Sequence, residues 1–458
     1  MHLYIKVGNK AFLSLWSKII KQTYVLFNSS TRERSMRVAM IHTPFQNRTG
    51  GERQILRLAI ELQKMGHEVE IFTNHVNRST YPEFFDQVKI NVIPYPLAGK
   101  VPSQWVPEMI PSTTPQTSSG QPEKAGFFRK KWSRVRKLWL GQYYVNHIPY
   151  MLELGRKIPK KFDIINNHNF MTEWAGFVAK NRLKVPLVWM CNEPSYWFFA
   201  PDKSRFRNIN WPVWELIDRT SVKYVDEIMV LSHVSEGYVR KAYDRSSTIV
   251  RTGVDIELFQ NATGQSLREK YNLQDSFVLL FVGGSIYARR SNIIRALAVL
   301  AKKHENVKLI LDTPREREML ASLAANLGLK DKVILLNSKS DRELAEVYAA
   351  CDCFVYPSSA SPWGLVVTEA MAAAKPVIVS QQVGTSEIIK NYVNGIIIDN
   401  ATPERIAEQV EVLLENPDLC RKLGDNAYEY VKENLSWRKY AERVESVFIE
   451  TMSRFRRK

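Results

Sequence analysis

The chain has 458 residues, 45% of them hydrophobic and 24% charged, globular proportions that exclude wholesale disorder and a fibrous protein. That length exceeds what one core organises and predicts two domains of ordinary size with a cleft between them. The formal charge of +17 narrows the partners to nucleic acid, an anionic membrane surface or phosphate-bearing substrates, without choosing among them.

Residues 1–35 read as an N-terminal extension. Its apolar stretch is interrupted by Lys6, Lys10, Lys18 and Lys21, so it supplies neither a signal-peptide core nor a spanning run of ~20 apolar residues. An in-plane amphipathic anchor and an extension of no structural consequence are both open.

From Met36 the pattern is strand "RVAMIH", loop "TPFQNRTGG", helix "ERQILRLAIELQKM", a stop at Gly66 and strand "EVEIFT". Ile55, Leu58, Ala59 and Leu62 recur at helical spacing between short β-rich runs, which is a βαβ unit opening a parallel sheet. Residues 97–125, rich in Pro, Ser, Thr and Gly, read as a mobile insertion. In residues 127–161 aromatic side chains interleave with lysines and arginines against a single acid, Glu153. A solvated basic helix with its aromatics in the core, a surface for anionic lipid or a lipid phosphate, and a nucleic-acid surface all fit. No recognised nucleic-acid motif accompanies the segment, and nucleic acid is not expected as a partner.

Strands follow near "FDIINNH", "PLVWMC" and "EIMVLS", and the glycine turn in "STIVRTGVDIELF" predicts a hinge near residue 255. A second series begins at Phe277: "FVLLFVG", a helix from Asn292, "VKLILD", "KVILLN", a helix from Asp341, "CFVYP", a helix from Gly364, "PVIVS", "GIIID" and terminal helices. The expected fold class is α/β, with two facing Rossmann-like domains at 36–255 and 256–435. A C-terminal helix at 436–458 is expected to pack back on the first domain, and ligands are expected at the carboxyl ends of the strands. The four cysteines, Cys191, Cys351, Cys353 and Cys420, are too few for a disulfide framework. The spacing of Cys351 and Cys353 puts both on one face of a strand, as buried thiols of a reducing compartment rather than a metal site.

Three strand-to-helix turns are candidate anion sites, because such turns aim backbone N–H groups and the positive helix end at what binds there. The first is Gly50-Gly51 before the helix at Glu52; paired glycines admit a ligand close to the backbone or simply turn the chain. They match neither the dinucleotide fingerprint nor the Walker pattern. In the second, "VGGSIYARRS", Gly283 and Gly284 end a strand and Arg289 and Arg290 lie before the next helix. Guanidinium forks suit phosphate oxygens, and a solvated surface pair is the plainer alternative. In the third, "PSSASPWGLVVTEAM", Pro362, Trp363 and Gly364 precede the first helical amides and Glu369 follows about a turn and a half inside. A carboxylate there can chelate the cis-diol of a ribose, while the plainer alternative is an exposed Glu favoured near a helix start.

Together with "GGERQILRLAIELQKMGHEVEIFT", "FDIINNHNF", "VRTGVDIELF", "VGTSEII" and the stretch from "NGIIIDNATPERIAEQ" to "KENLSW", these pieces resemble the retaining, family-4-type glycosyltransferases of the GT-B fold (glycosyltransferases group 1). They stand in family order from Met36 to Trp437. The resemblance implies a nucleotide-sugar donor held mainly by the second domain and a glycan or lipid-linked acceptor entering from the first. Retention of configuration, no cofactor and no divalent metal are implied with it. The basic aromatic segment separately makes anionic lipid an expected partner, and with the motifs it points to work at a cytoplasmic membrane face. Glu369 corresponds to the second carboxylate of the family's E-x(7)-E motif and is expected to hold the ribose hydroxyls. Amides near Gly364, Leu365 and Val366, with Gly50 and Gly51 across the cleft, are expected to face the diphosphate, and Gly283, Gly284, Arg290 and Trp363 to line the donor site. Arg289 falls where the family has a lysine that neutralises the leaving group, and the base is expected near Leu336 and Asn337. His168 falls on the family's histidine near the reacting sugar, although a lone loop histidine is ordinarily structural. Asn192 and Glu193 border the same cleft and are expected to meet sugar or acceptor.

Two positions depart from the family pattern. Ser361 stands where the first carboxylate of the motif belongs, and Gly284 where an arginine is usual. A different donor, compensation by His168 or Glu193, and a GT-B pseudoenzyme that binds nucleotide without catalysis are the alternatives these departures open.

Overall fold

The computed structural model describes residues 35–46, 48–94, 148–194, 211–284, 289–338 and 340–457. The N-terminal extension to residue 34, the insertion expected at 97–125 and the part of the basic aromatic segment before residue 148 lie outside the described residues.

Strands β1 (Arg37–Ile41), β2 (Glu68–Thr73), β3 (Lys89–Val92), β4 (Ile164–His168), β5 (Leu187–Met190), β6 (Glu227–Val230) and β7 (Thr248–Ile249) form one sheet, ordered β3-β2-β1-β4-β5-β6-β7. Every pairing in it is parallel. Val38 and Met40 enter the core on one face and Ala39 and Ile41 the core on the other, the alternation of a strand covered on both sides.

Helix α1 (Gly50–Lys64) connects β1 to β2 and buries Ile55, Leu58, Ala59 and Leu62. It takes the paired glycines into its first turn, where the sequence reading placed them ahead of a helix at Glu52. The reason is Thr49, whose hydroxyl accepts the Glu52 N–H at 3.3 Å; the first-turn amides lack an intrahelical acceptor whichever residue carries them. A helix over residues 148–157 carries the described end of the basic aromatic segment. Tyr150, Met151 and Leu154 are buried there, and the Tyr150 hydroxyl donates to the Ile93 carbonyl at 2.6 Å. Helices α2 (Glu173–Leu183), α3 (Trp211–Val222) and α4 (His233–Tyr243) follow β4, β5 and β6, the last behind a reciprocal Ser232–Ser235 cap.

After α5 (Ile256–Gln260), β8 (Phe277–Val282), β9 (Val307–Asp312), β10 (Val333–Leu336), β11 (Cys353–Tyr356), β12 (Val377–Ser380) and β13 (Ile396–Ile398) build a second parallel sheet, ordered β10-β9-β8-β11-β12-β13. Helices α6 (Arg290–Leu300), α7 (Arg317–Asn326), α8 (Asp341–Ala350), α9 (Leu365–Ala372) and α10 (Pro403–Glu415) connect or cover its strands. The chain thus forms two Rossmann-like α/β domains. Strand order reverses between β1 and β4 and again between β8 and β11, the switch points at which such sheets open a crevice.

Helix α6 starts at Arg290, two residues before the expected Asn292. Cys353 opens β11 whereas Cys351 caps the end of α8, so the two thiols sit on different elements instead of one strand face. Cys191, Cys351 and Cys353 are buried, Cys420 is partly so, and all four are free.

Helices α11 (Pro417–Asn434) and α12 (Trp437–Arg456) end the chain. Helix α12 packs on α1 of the first domain, where His67 Nε2 and Glu445 Oε1 meet at 2.7 Å in a buried pair. Arg454 adds a surface ion pair with Glu227.

Candidate active site

On the first domain the site is a chain of amides and imidazoles at the carboxyl ends of β1, β4 and β5. His42 Nδ1 donates to the Thr43 carbonyl at 2.5 Å, which leaves Nε2 to accept from Asn169 Nδ2 at 2.8 Å. Asn169 Oδ1 accepts from Asn192 Nδ2 at 3.1 Å, and the Asn169 carbonyl accepts from Trp189 Nε1 at 2.8 Å. Asn169 holds φ +63°, a left-handed conformation asparagine tolerates. A Cβ on Gly51 would stand 3.2 Å from Asn169 Oδ1 and 3.4 Å from Asn192 Nδ2, so the head of α1 lies against this chain.

His168, the last residue of β4, is fully buried. Its Nε2 donates to Asn166 Oδ1 at 2.7 Å, and Nδ1 has no partner among the described residues. Burial, and then His42, hold it well below its usual value, so the ring is neutral. Asn192 Oδ1 is likewise buried without a described partner. Burial pushes the Glu193 carboxyl up to about 8, and its charge bears on both Tyr238 of α4 and Tyr356 of the second domain.

On the second domain β8 and β9 end side by side, with the Gly283 N–H donating to the Asp312 carbonyl at 3.0 Å. Arg289 is exposed at the head of α6, whereas Arg290 is buried against Phe281 and donates to Glu316 Oε2 at 2.6 Å. The Leu336 carbonyl accepts from Arg317 at 2.5 Å and from the Thr313 N–H at 3.1 Å; Asn337 follows, half-buried, beside Ser338, whose N–H donates to Asp312 Oδ1.

Ser361 is buried, and its carbonyl accepts from the Gly384 N–H at 2.9 Å. Trp363 packs into the core, and its carbonyl accepts from Thr385. Gly364 turns at φ +95° into α9, whose first amides belong to Leu365 and Val366. Here the halves touch: a Cβ on Gly50 would lie 2.7 Å from Leu365 Cδ1. The structure therefore gathers Gly50, Gly51, Asn192, Gly364 and Leu365 at one cleft, while Trp363 lies behind it in the core.

Glu369 is 3% exposed, on the fifth residue of α9. Oε1 accepts from Arg53 Nη1 at 2.6 Å and Oε2 from the Tyr348 hydroxyl at 3.0 Å. Arg53 Nη2 also reaches Asp341 Oδ1 at 2.6 Å, where Arg48 joins at 2.5 Å, and Arg57 pairs with Asp255. Burial would push the Arg53 guanidinium down, but Glu369 and Asp341 more than offset it and keep it charged. Sequence reading missed Arg48, Arg53, Arg57, Asp255 and Asp341, and also His42 and Asn169. The only local signal was two arginines one helical turn apart beside the apolar stripe of α1.

Two Rossmann-like domains meeting across such a cleft define an α/β protein of the GT-B fold. Residues 48–258 match the family described as Glycosyltransferase Family 4, and residues 265–430 the family described as Glycosyl transferases group 1. The chain belongs to these family-4-type group 1 glycosyltransferases. The D-inositol 3-phosphate glycosyltransferase of Thermobispora bispora is 27% identical over 319 residues, 65% of this chain and 73% of that protein. That of Corynebacterium efficiens is 26% identical over 447 residues, 91% of this chain and 95% of that protein. HepE of Anabaena, solved with UDP and glucose, superposes with a TM-score of 0.67 at 17% identity, over 90% of this chain and 99% of that one. WaaG, a glycosyltransferase involved in lipopolysaccharide biosynthesis, gives 0.63 at 17% identity over the same shares, 90% and 99%. At these identities both structures speak to the fold alone.

Proposed function

We propose that the chain transfers a sugar from a nucleotide-sugar donor to a glycan or lipid-linked acceptor, with retention of configuration and without a divalent metal. The observation that carries this reading is the contact of Gly50, first residue of α1, with Leu365, first residue of α9. Two helix N-termini face one another at the carboxyl ends of two parallel sheets, where N–H groups and positive helix ends favour a diphosphate. A related fold supports the donor class: HepE has been solved with UDP-glucose.

As the bond from the anomeric carbon to the diphosphate breaks, its electron pair stays on the phosphate oxygen. The amides of Leu365 and Val366 and the Arg289 guanidinium meet that charge, each worth ~3 kcal/mol if it acts as an oxyanion donor. The acceptor hydroxyl attacks the face the leaving group vacates and gives its proton to a phosphate oxygen, which retains configuration. Glu369 takes the ribose hydroxyls once Arg53 yields Oε1, and the base lies near Leu336 and Asn337. The neutral His168, with Nδ1 an acceptor, and Asn192 take hydroxyls of the sugar. The net charge of +17 supports work at an anionic, cytoplasmic membrane face; among the described residues no helix is long and apolar enough to cross a membrane.

Mass spectrometry with a nucleotide-sugar panel and candidate acceptors tests the transfer. Donor-dependent glycoside is expected from the wild type and not from Glu369→Gln or Arg289→Ala; equal turnover in all three sinks the site assignment. One observation favours a second reading, the Ser361 hydroxyl where the family has a carboxylate. Nucleotide binding without product, with activity gained in Ser361→Glu, selects that binding-module reading. Co-sedimentation with anionic but not neutral vesicles is expected, and equal partition removes the membrane assignment.

A further inference from the structure

Helices α6 and α10 lie side by side on the second sheet. At their heads Asn292 Nδ2 donates to the Ala401 carbonyl at 2.7 Å, and towards their tails Lys303 Nζ lies 3.0 Å and 3.3 Å from the two Glu411 oxygens, so the helices run in the same direction. The winding of α6 carries on past Leu300, whose carbonyl accepts from the His304 N–H at 2.9 Å, and α10 ends at Glu415. Two helix C-termini therefore finish together, and the negative end of each favours a cation.

The side chains gathered there are those a metal ion takes. One ring nitrogen of His304 and one carboxylate oxygen each of Glu411 and Glu415 all lie within 4.8 Å of one another, and no other such group occurs among the described residues. His304 Nε2 is the nitrogen that meets Glu411, 3.1 Å from Oε1. Ligand atoms around a tetrahedral ion stand ~3.4 Å apart, so that pair is already in place and the exposed Glu415 has only to swing inward. Glu411 and Glu415 are one helical turn apart on α10, a like-charge pair that a cation between them relieves. The Lys303 side chain is 67% exposed, so it withdraws into solvent when a doubly charged ion arrives.

We propose that His304, Glu411 and Glu415 bind a zinc ion that pins the tail of α6 to the tail of α10, His304 through Nε2 and each glutamate through one oxygen. Imidazole and carboxylate together suit zinc, whereas magnesium takes oxygen ligands, keeps its waters and gains nothing from the ring. Binding places the ring proton on Nδ1 and leaves the Nε2 lone pair to the metal. The site is structural and takes no part in sugar transfer. Helix α6 runs ~16 Å from its head at the cleft, and His304 stands just before β9 begins, at the opposite edge of the sheet. It therefore stands independently of the nucleotide-sugar reading.

Titration calorimetry of the full chain, stripped with a chelator, against zinc chloride tests this. The wild type is expected to take up an equivalent of zinc that His304→Ala and Glu415→Gln each bind more than about 10-fold more weakly. Lys303→Gln, which removes the competing cation, should bind it severalfold more tightly. Zinc should raise the melting temperature of the wild type more than that of His304→Ala or Glu415→Gln, each measured against its own metal-free melt. Glu415 is exposed, so Glu415→Gln keeps the fold and decides even where His304→Ala does not. Zinc affinities of both variants within about twofold of wild type, equal melting shifts in all three proteins, or magnesium bound as tightly as zinc overturns the site. A wild type that takes up no zinc overturns it too.

Discussion

Arg53 Nη1 lies 2.6 Å from Glu369 Oε1, a buried ion pair that runs from the first helix of one domain to the cleft helix of the other. On the proposed reading, a ribose chelated by Glu369 takes Oε1 from Arg53, which would couple domain contact to donor binding. Arg53→Met is expected to destabilise the protein by ~3 kcal/mol, because a buried carboxylate loses its counter-charge. It is also expected to tighten nucleoside-diphosphate binding severalfold, because the competitor is gone. Urea unfolding and titration calorimetry read the two effects. Affinity that falls together with stability would mean that Arg53 touches the donor itself.

Stability should depend on pH in opposite directions through buried carboxyls held up, Glu193 and Glu173, and buried imidazoles held down, His42 and His168. Burial pushes Glu193 up to about 8, whereas the unfolded chain releases that proton near about 4.3. Stability therefore falls as pH rises between those values, by at most ~1.4 kcal/mol per pH unit. Burial pushes His42 down to about 4, so the unfolded chain gains a proton first and stability falls as pH drops from about 6.5 towards 4. Glu193→Gln should make the thermal-melting profile between pH 5 and 8 less steep, with the buried Glu173 supplying the slope that remains, and leave the acid side as it was. Parallel profiles for variant and wild type over that range would show an ionised Glu193 in the fold.

How much of this is legible without coordinates follows from range. Runs such as "FVLLFV" and "PVIVS" announce parallel strands because both faces are covered, and the stripe of Ile55, Leu58, Ala59 and Leu62 announces the core side of α1. Arg53 shares that buried side, but an arginine there reads as solvated until Asp341 and Glu369, 288 and 316 residues away, are placed beside it. His168 carries the recognisable motif and is bonded to Asn166 two residues back on the same strand face, whereas its neighbour Asn169, which no motif marks, meets Gly51, His42 and Asn192. Gly284 is visible as a missing side chain; that Arg315 Nε lies 3.4 Å from where its Cβ would stand is a fact of strand adjacency.

A second seam between the domains predicts which glycine tolerates a methyl group. Ser232 Oγ donates to the Pro362 carbonyl at 2.5 Å, and the Val234 N–H donates to Glu387 Oε1 at 3.0 Å. A Cβ on Gly384 would fall 2.1 Å from the Pro362 carbonyl oxygen, a backbone atom that cannot move alone. Gly384→Ala should lower stability by ~2 kcal/mol through forced displacement of that seam. Gly50→Ala meets only the rotatable end of Leu365 and should lower it by less than about 1 kcal/mol. Urea midpoints that rank the two the other way would refute the seam as a rigid contact.

Ser361 and Glu193 act on the same phenol. Burial holds Tyr356 above its usual value, the Ser361 hydrogen bond draws it down, and the charge of Glu193 pushes it up. A carboxylate at 361 would thus join a site where Glu193 already keeps its proton, and two such acids resist ionising together. Ser361→Glu is expected to melt lower than wild type, with a larger deficit at pH 8 than at pH 6, and Glu193→Gln in the same chain should remove the pH difference. If Glu193 serves in place of the absent carboxylate, sugar transfer drops in Glu193→Gln alone and returns in the double variant. A Ser361→Glu protein that matches wild type in melting at both pH values would separate the two sites, and the donor's sugar would then be read by the amides and His168 without either acid.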